Sequence, residues 1–470
     1  MKSFFIKIKN IFFGNSLPQR IFQGYLLTII IGSLLLMFTF TKNHEASFID
    51  SLFVAASAFS DTGLSTVVLS ETFNFWGQLI ILILIQVGGI GIMTIKIMFL
   101  MFLGRKIHLK ERLFGANERG SGKLGGSVDL IKISMIVIFS TELIAALSLI
   151  LHFNFKPEYA SLFDSKADMV WTSIFHSVSS VNNAGFDVLP GGTSLAVFKQ
   201  DYFVQIVTIL CLFIGGIGFP VFYDLKCYFV AKRKKEQFRM SLFTKFSVKA
   251  YLIVGLTGII LVFISELLAP KNIGLLYNEN YTLAERIFYV IFNTCSTRNA
   301  GYATIDLNEF QTSTQLIFSI LMWIGACPSS TGGGIRCTTF MVVMLLIKSV
   351  ATGKDDVETK DRSIPAKTVF RALSVFITGV ILIVVFTLLL LVINMKTWNL
   401  MEVLFEVSSA FGTTGLTLGI TPNLNVASKL VLIVVMFIGQ VGISSFLLIW
   451  SDKKVIANTR SLPEEDITIG

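Results

Sequence analysis

The chain has 470 residues, of which 53% are hydrophobic and only 15% charged, with a mean hydropathy of +0.73. This composition excludes an ordinary soluble domain and makes the lipid bilayer the solvent of the fold. The net charge of +9 follows membrane topology, as shown below, and implies no nucleic-acid partner.

Residues 1–20 read as a basic amphipathic lead-in on the inner membrane surface. They are not a cleaved signal, because the apolar run that follows is too long and lacks a small-residue cleavage pattern. Charge-free runs long enough to cross the roughly 30 Å hydrocarbon core extend over Ile21–Thr41, Phe73–Ile95, Tyr202–Tyr223, Ala372–Met395 and Leu430–Trp450. Three more are interrupted: 133–155 carries Glu142 and His152, 250–269 carries Glu266, and 311–349 is overlong and broken by Pro328 and a glycine run. The expected fold is all-α and membrane-integral, with eight transmembrane helices.

Between the members of each successive pair lies a short apolar segment: Phe48–Ser60, Met169–Ser180, Ala284–Cys295 and Asn399–Ala410. At about 1.5 Å per residue each reaches roughly 18 Å, half a bilayer. They read as re-entrant half-helices followed by loops that return to the same side. Of the 39 Lys and Arg, 29 fall in segments this layout places inside, which puts both termini in the cytoplasm of a multi-pass plasma-membrane protein.

The units 21–103, 130–229, 247–349 and 368–450 repeat one another, with a tail at 451–470. Each reads span, half-helix, glycine loop, span, and the loop glycines Gly63, Gly185, Gly301 and Gly415 are 122, 116 and 114 residues apart. Phe53, Phe175 and Phe405 precede their glycines by ten residues, and Phe292 precedes Gly301 by nine. "GGIG" follows in the first two units, "GAC" in the third and "GQVG" in the fourth. Four like-oriented, pseudo-symmetric units can close around a central ion pore. Irregular backbone at membrane depth is tolerated where it lines such a cavity. The half-helices would aim their negative C-terminal ends at the midplane, which favours a cation.

In a filter, backbone carbonyls replace the hydration shell of an ion, and glycine permits the dihedrals this requires. Thr62-Gly63, Ala184-Gly185, Ala300-Gly301 and Thr414-Gly415 would supply the oxygens, with Asp61, Asn183, Asn299 and Thr413 one step deeper. Asp61 reads either as a hydrogen-bonding brace or as an extra cation ligand. The third unit departs from the rest: Gly325, Ala326, Cys327, Pro328, Ser329, Ser330, Thr331, Gly332, Gly333 and Gly334 break its second span, and proline cannot continue a helix. The segment reads as a plug beneath the filter or as a packing kink.

Arg298 would repel cations if it faced the pore, so it is expected behind the filter, tied to a carboxylate such as Glu406 or Asp306. Glu142 needs a partner that the sequence does not name. Five cysteines in or beside spans, with no C-x-x-C, suggest no disulfide framework. His44, His108, His152 and His176 show no metal spacing, no phosphate loop or nucleophile motif occurs, and no enzyme is indicated.

The segments "SLPQRIFQGYLLTIIIGSLLLM", "NNAGF", "STRNAGYATIDL", "GTTGLTLG" and "VMFIGQVG" resemble the Trk/Ktr/HKT superfamily of potassium transporters, and its KtrB membrane subunit in particular, along essentially the whole chain. The resemblance implies a gated, potassium-selective pathway with potassium as substrate and no cofactor in the chain. A sodium-coupled or sodium-permeable relative is the alternative, and a non-transport membrane protein is a weaker one. In the family a serine in the first loop accompanies sodium permeation, so Gly63 argues for potassium, while sodium dependence stays open. The resemblance also implies an intramembrane gating loop at 325–336, a structural arginine at Arg298, a homodimer with one pore per protomer, and a cytosolic nucleotide-binding regulatory ring of KtrA type. Docking surface for such a ring would come from 96–132, including the glycine-rich 115–127, from 224–249 and from the tail. At Gln440 most relatives carry an arginine facing the gating loop. A glutamine there can donate to loop carbonyls but adds no charge, which leaves Arg336 to supply part of it and predicts a gate held less tightly.

Overall fold

The computed structural model describes residues 17–38, 41–91, 94–95, 97–98, 101, 127–159, 162–192, 194–270, 274–359, 362–394 and 397–449. Most of the lead-in 1–20, most of the 115–127 segment and the tail 451–470 lie outside the described residues. What is described is helical: α1 (Leu17–Met37), α2 (Phe48–Phe59), α3 (Phe75–Ile90), α4 (Ser127–Phe155), α5 (Lys166–Val181), α6 (Tyr202–Gly216), α7 (Phe219–Lys234), α8 (Leu242–Leu267), α9 (Leu283–Ser296), α10 (Thr312–Ile324), α11 (Cys337–Ala351), α12 (Ala366–Ile393), α13 (Leu400–Gly412), α14 (Val426–Val441) and α15 (Ile443–Ile449).

Among the described residues, α1, α4, α8 and α12 are each long and apolar enough to cross a bilayer alone. Ile144 and Leu147 on α4 and Val384 and Leu388 on α12 are exposed, as side chains facing lipid acyl chains are. The second spans differ from expectation. Phe73–Ile95, Tyr202–Tyr223 and Leu430–Trp450 read as unbroken, yet each stops at a glycine: Gly91 (φ 84, ψ 138) ends α3, Gly218 (φ 95, ψ 134) lies between α6 and α7, and Gly442 (φ 84, ψ 144) ends α14. A left-handed φ with extended ψ cannot continue a right-handed helix. The pair α6 and α7 is bent by 91° there. Apolar composition is blind to this break, because neither "GGIG" nor "GQVG" carries a charge or a proline to interrupt the apolar run.

The short helices α2, α5, α9 and α13 start on local signals. Ser47 Oγ accepts from Asp50 N (3.1 Å) and Ser165 Oγ from Asp168 N (3.1 Å). In a reciprocal capping box, Thr282 Oγ1 accepts from Glu285 N (3.3 Å) while Glu285 Oε2 accepts from Thr282 N (2.7 Å). Glu402 Oε2 likewise accepts from Asn399 N at 2.8 Å. A capping residue followed three positions later by a carboxylate thus opens all four, satisfying free N–H groups and complementing the helix dipole.

Packing closes the units into a ring. α3 packs on α5, α6 on α9, α10 on α13, and α14 returns to α2, so each second helix supports the next short helix and the last supports the first. In the second unit, Asp201 caps α6 and its Oδ2 accepts from His152 Nε2 (2.6 Å), Tyr159 OH (2.6 Å) and Lys156 Nζ (3.2 Å). Burial alone would raise the Asp201 carboxyl, but these three donors outweigh it and hold it at about 2.

Candidate functional site

Each short helix ends in a residue with left-handed backbone: Asp61 (φ 50), Asn183 (φ 59), Asn299 (φ 74) and Thr413 (φ 50). In three units the cause is a Schellman motif. Thr62 N donates to Ser57 O (2.9 Å) and Asp61 N to Ala58 O (3.3 Å), Ala184 N to Ser179 O (2.8 Å) and Asn183 N to Ser180 O (3.2 Å), and Thr414 N to Ser409 O (2.9 Å) and Thr413 N to Ala410 O (3.2 Å). The third unit instead bonds Ala300 N to Ser296 O at 2.9 Å. Asp and Asn tolerate this conformation well, which accounts for the residue type two positions before the first three glycines. A β-branched Thr413 there is unusual.

Two residues on, Gly63 (φ 91), Gly185 (φ 68), Gly301 (φ 76) and Gly415 (φ 91) reverse the chain again. The four glycines converge in chain order. A Cβ added to Gly63 would lie 3.0 Å from Gly185 Cα, one on Gly185 3.0 Å from Gly301 Cα, one on Gly301 3.3 Å from Gly415 Cα, and one on Gly415 3.0 Å from Gly63 Cα. The carbonyl oxygens of Ala184, Ala300, Thr414 and Thr62 are also in contact with those added Cβ atoms, in the same cyclic order. The structure therefore brings the four glycines and the residue before each, Thr62, Ala184, Ala300 and Thr414, into a closed ring of backbone, with Asp61, Asn183, Asn299 and Thr413 next to it in the chain. On the side of the residues that follow the glycines, a cavity of about 370 Å³ opens, lined among others by Gly63, Gly185, Gly301, Gly415, Asp187 and Thr417.

The opposite side is covered by 325–336. Thr331 Oγ1 accepts from Asn183 Nδ2 (2.8 Å), and Thr413 Oγ1 accepts from Gly333 N (2.8 Å). Asn299 Nδ2 donates to Gly333 O (3.5 Å) and also to Gly412 O. The loop is thus fastened to the second, third and fourth units. It also bonds the second helices, through Cys327 N to Gly216 O (3.1 Å), Phe219 N to Ser329 O (2.9 Å) and Gly334 N to Gly439 O (3.2 Å). Asp61 is held differently, with Gln440 Nε2 3.4 Å from its Oδ2.

Residues 19–455 match the TrkH family, described as a cation transport protein. The chain belongs to that family. This member is 34% identical over 454 residues to Ktr system potassium uptake protein B of Bacillus subtilis (strain 168), covering 96% of each chain. It is 35% identical to Ktr system potassium uptake protein D of the same strain (96% of this chain, 97% of the relative) and 35% identical to the potassium/sodium uptake protein NtpJ of Enterococcus hirae, with the same coverage. The crystal structure of the potassium transporter TrkH from Vibrio parahaemolyticus superposes with a TM-score of 0.68 at 19% identity, over 95% of this chain and 87% of that one, and shares its fold.

Two polar residues of this family member, Arg298 and Gln440, take partners other than those expected. Arg298 meets neither Glu406 nor Asp306. Its Nη2 donates to Gly325 O (2.5 Å) and its Nη1 to Leu321 O (3.3 Å), with the guanidinium 5.0 Å from the Tyr251 ring centre. Backbone carbonyls freed where α10 ends take the place of a carboxylate. Gln440 donates to Asp61 and not to a loop carbonyl, while the neighbouring backbone oxygen of Gly439 makes the loop contact. Arg336 donates to Gly332 O, within the loop itself.

Glu406 is fully buried and accepts from Thr417 Oγ1 (2.8 Å) and Thr421 Oγ1, bracing the fourth loop. Glu142 gains a partner in Asn182 Nδ2 (3.0 Å), so the second half-helix is tied to its own first span. Nothing in the spacing of positions 142 and 182 announces that pair. Among the described residues no group of three His, Cys, Asp or Glu is placed to hold a metal ion.

The Arg298 contacts give a direct expectation. Arg298→Gln removes charge-assisted bonds worth about 1.5–3 kcal/mol each, so the purified variant should melt at lower temperature in detergent. Arg298→Lys, which keeps the charge and loses the fork, should recover only part of the loss. Equal melting of wild type and Arg298→Gln would show that the carbonyls of Leu321 and Gly325 do not need this arginine.

Proposed function

We propose that the chain is the ion-translocating subunit of a potassium uptake system, with a potassium-selective filter made by backbone carbonyls of Thr62-Gly63, Ala184-Gly185, Ala300-Gly301 and Thr414-Gly415. The observation that carries this reading is the cyclic approach of four glycines to within a Cβ contact of one another. Oxygens spaced around one axis can exchange for the hydration shell of a cation, and uniform glycine in the four loops leaves that geometry unobstructed. Residues 325–336 act as the gate, because they bridge three of the four quadrants immediately behind the ring with short, individually weak bonds. Asp61, Asn183, Asn299 and Thr413 form the step between filter and gate. The four units, the cytoplasmic termini, the homodimer and a KtrA-type ring belong to the same reading, supported by the relatives named for the Ktr system.

Rubidium and potassium uptake in cells lacking other potassium systems tests it, measured with and without sodium because one relative is named for both ions. Expression should restore growth at low potassium and drive saturable rubidium uptake. Purified protein in liposomes that passes neither ion would end the proposal.

Gln440→Arg provides a second test. Arginine there would add positive charge beside Asp61, which opposes a cation in the pathway, so basal flux should fall. Unchanged flux would place Gln440 outside the field of the pathway.

A further inference from the structure

Cys327 and Cys337 stand at the two ends of the gating loop, and both are fully buried. Their sulfurs are 3.3 Å apart. The backbone sets up the pair: Cys337 N donates to Ala326 O (3.0 Å) and Ile335 N to Trp323 O (3.0 Å), so the two stems of the loop lie side by side. All five cysteines, Cys327 and Cys337 included, are free thiols in the structure. A disulfide needs about 2.05 Å between sulfurs, a closure of little more than 1 Å from the present separation.

We propose that Cys327 and Cys337 are an oxidisable dithiol, and that a two-electron oxidant of the hydrogen peroxide class converts them to a disulfide that clamps the neck of the loop and holds the pathway shut. In the first step one sulfur, as thiolate, attacks a peroxide oxygen. The O–O bond breaks, hydroxide leaves and takes up the thiol proton as water, and a sulfenic acid remains. In the second, the other sulfur attacks that sulfur, the S–O bond breaks, and a second water departs with the remaining proton. The sulfurs lose two electrons and one peroxide becomes two waters.

The loop leaves the axis only if its stems move, since Thr331 and Gly333 at its centre carry the bonds to Asn183, Asn299 and Thr413. A covalent neck removes that freedom. This inference rests on reading 325–336 as the gate.

The test uses the full-length protein in liposomes, with rubidium flux measured before hydrogen peroxide, after it, and after dithiothreitol, alongside peptide mass analysis of the 325–340 region. Expected are a peptide lighter by two hydrogens, loss of flux, and recovery of both on reduction. In Cys337→Ser, peroxide should leave the ratio of flux before and after unchanged. Should that variant not fold, the mass change and the fall in flux in the wild type, both reversed by dithiothreitol, decide together. Failure of the native protein to form the bond under conditions that oxidise the unfolded chain overturns the proposal, as does a bond that forms without changing flux. If the bond forms silently while deletion of 328–333 still raises flux, the clamp is wrong and the gate stands. If the deletion is silent too, the gate reading falls with it.

Discussion

Replacing Gly63 with serine is expected to lower the preference for potassium over sodium by about tenfold or more. The backbone there has φ of +91°, and an added Cβ would stand 3.0 Å from Gly185 Cα and closer still to the carbonyl oxygen of Ala184. The neighbour is backbone and cannot swing aside as a side chain would. Strain of this kind costs about 1–3 kcal/mol, and about 1.4 kcal/mol changes an equilibrium tenfold. It falls on the spacing of the ring oxygens, so the larger and more weakly hydrated ion loses most. Gly353 is the matched control: its φ is also positive (+64°), but nothing lies within 4 Å of an added Cβ. Reversal potentials under mixed potassium and sodium should shift for Gly63→Ser and stay fixed for Gly353→Ser. An unaltered ratio in Gly63→Ser would remove the first loop from the filter.

Deleting 328–333 is expected to raise basal potassium flux by an order of magnitude, whatever the state of a regulator. The deletion removes Thr331 and Gly333, and with them the bonds to Asn183, Asn299 and Thr413. At roughly 0.5–1.5 kcal/mol each, these few bonds are the right strength for a barrier that opens and closes. The fold should tolerate the deletion, because the stems at Ala326 and Cys337 already share a backbone hydrogen bond and the shortened connection has little distance to span. Liposome flux of the monodisperse variant is the measurement. Loss of transport in folded protein would make the segment a structural kink and send the search for the gate elsewhere.

Much of this site was legible in the sequence because its signals are local. The short helices lie within a few residues of their expected bounds, since apolar periodicity and a following glycine mark them. The four openings Ser47 to Asp50, Ser165 to Asp168, Thr282 to Glu285 and Asn399 to Glu402 were legible as well, through a capping pattern that the hydropathy reading passed over. The breaks at Gly91, Gly218 and Gly442 were hidden because glycine in an apolar run reads as helix until its dihedrals are known. The partners of Arg298, Glu142 and Gln440 were hidden for another reason. Each is set by which element the ring places opposite it, and position 440 meets position 61 only because α14 packs against α2.

That closure has a consequence for how the protein comes into being. Gly63 and Gly415 approach each other although about three quarters of the chain separates them, and the supporting contact between α2 and α14 joins a helix of the first unit to one of the last. On the proposed filter reading, the set of carbonyls is complete only once the fourth unit has docked against the first, so a chain lacking that unit should carry no selective potassium flux.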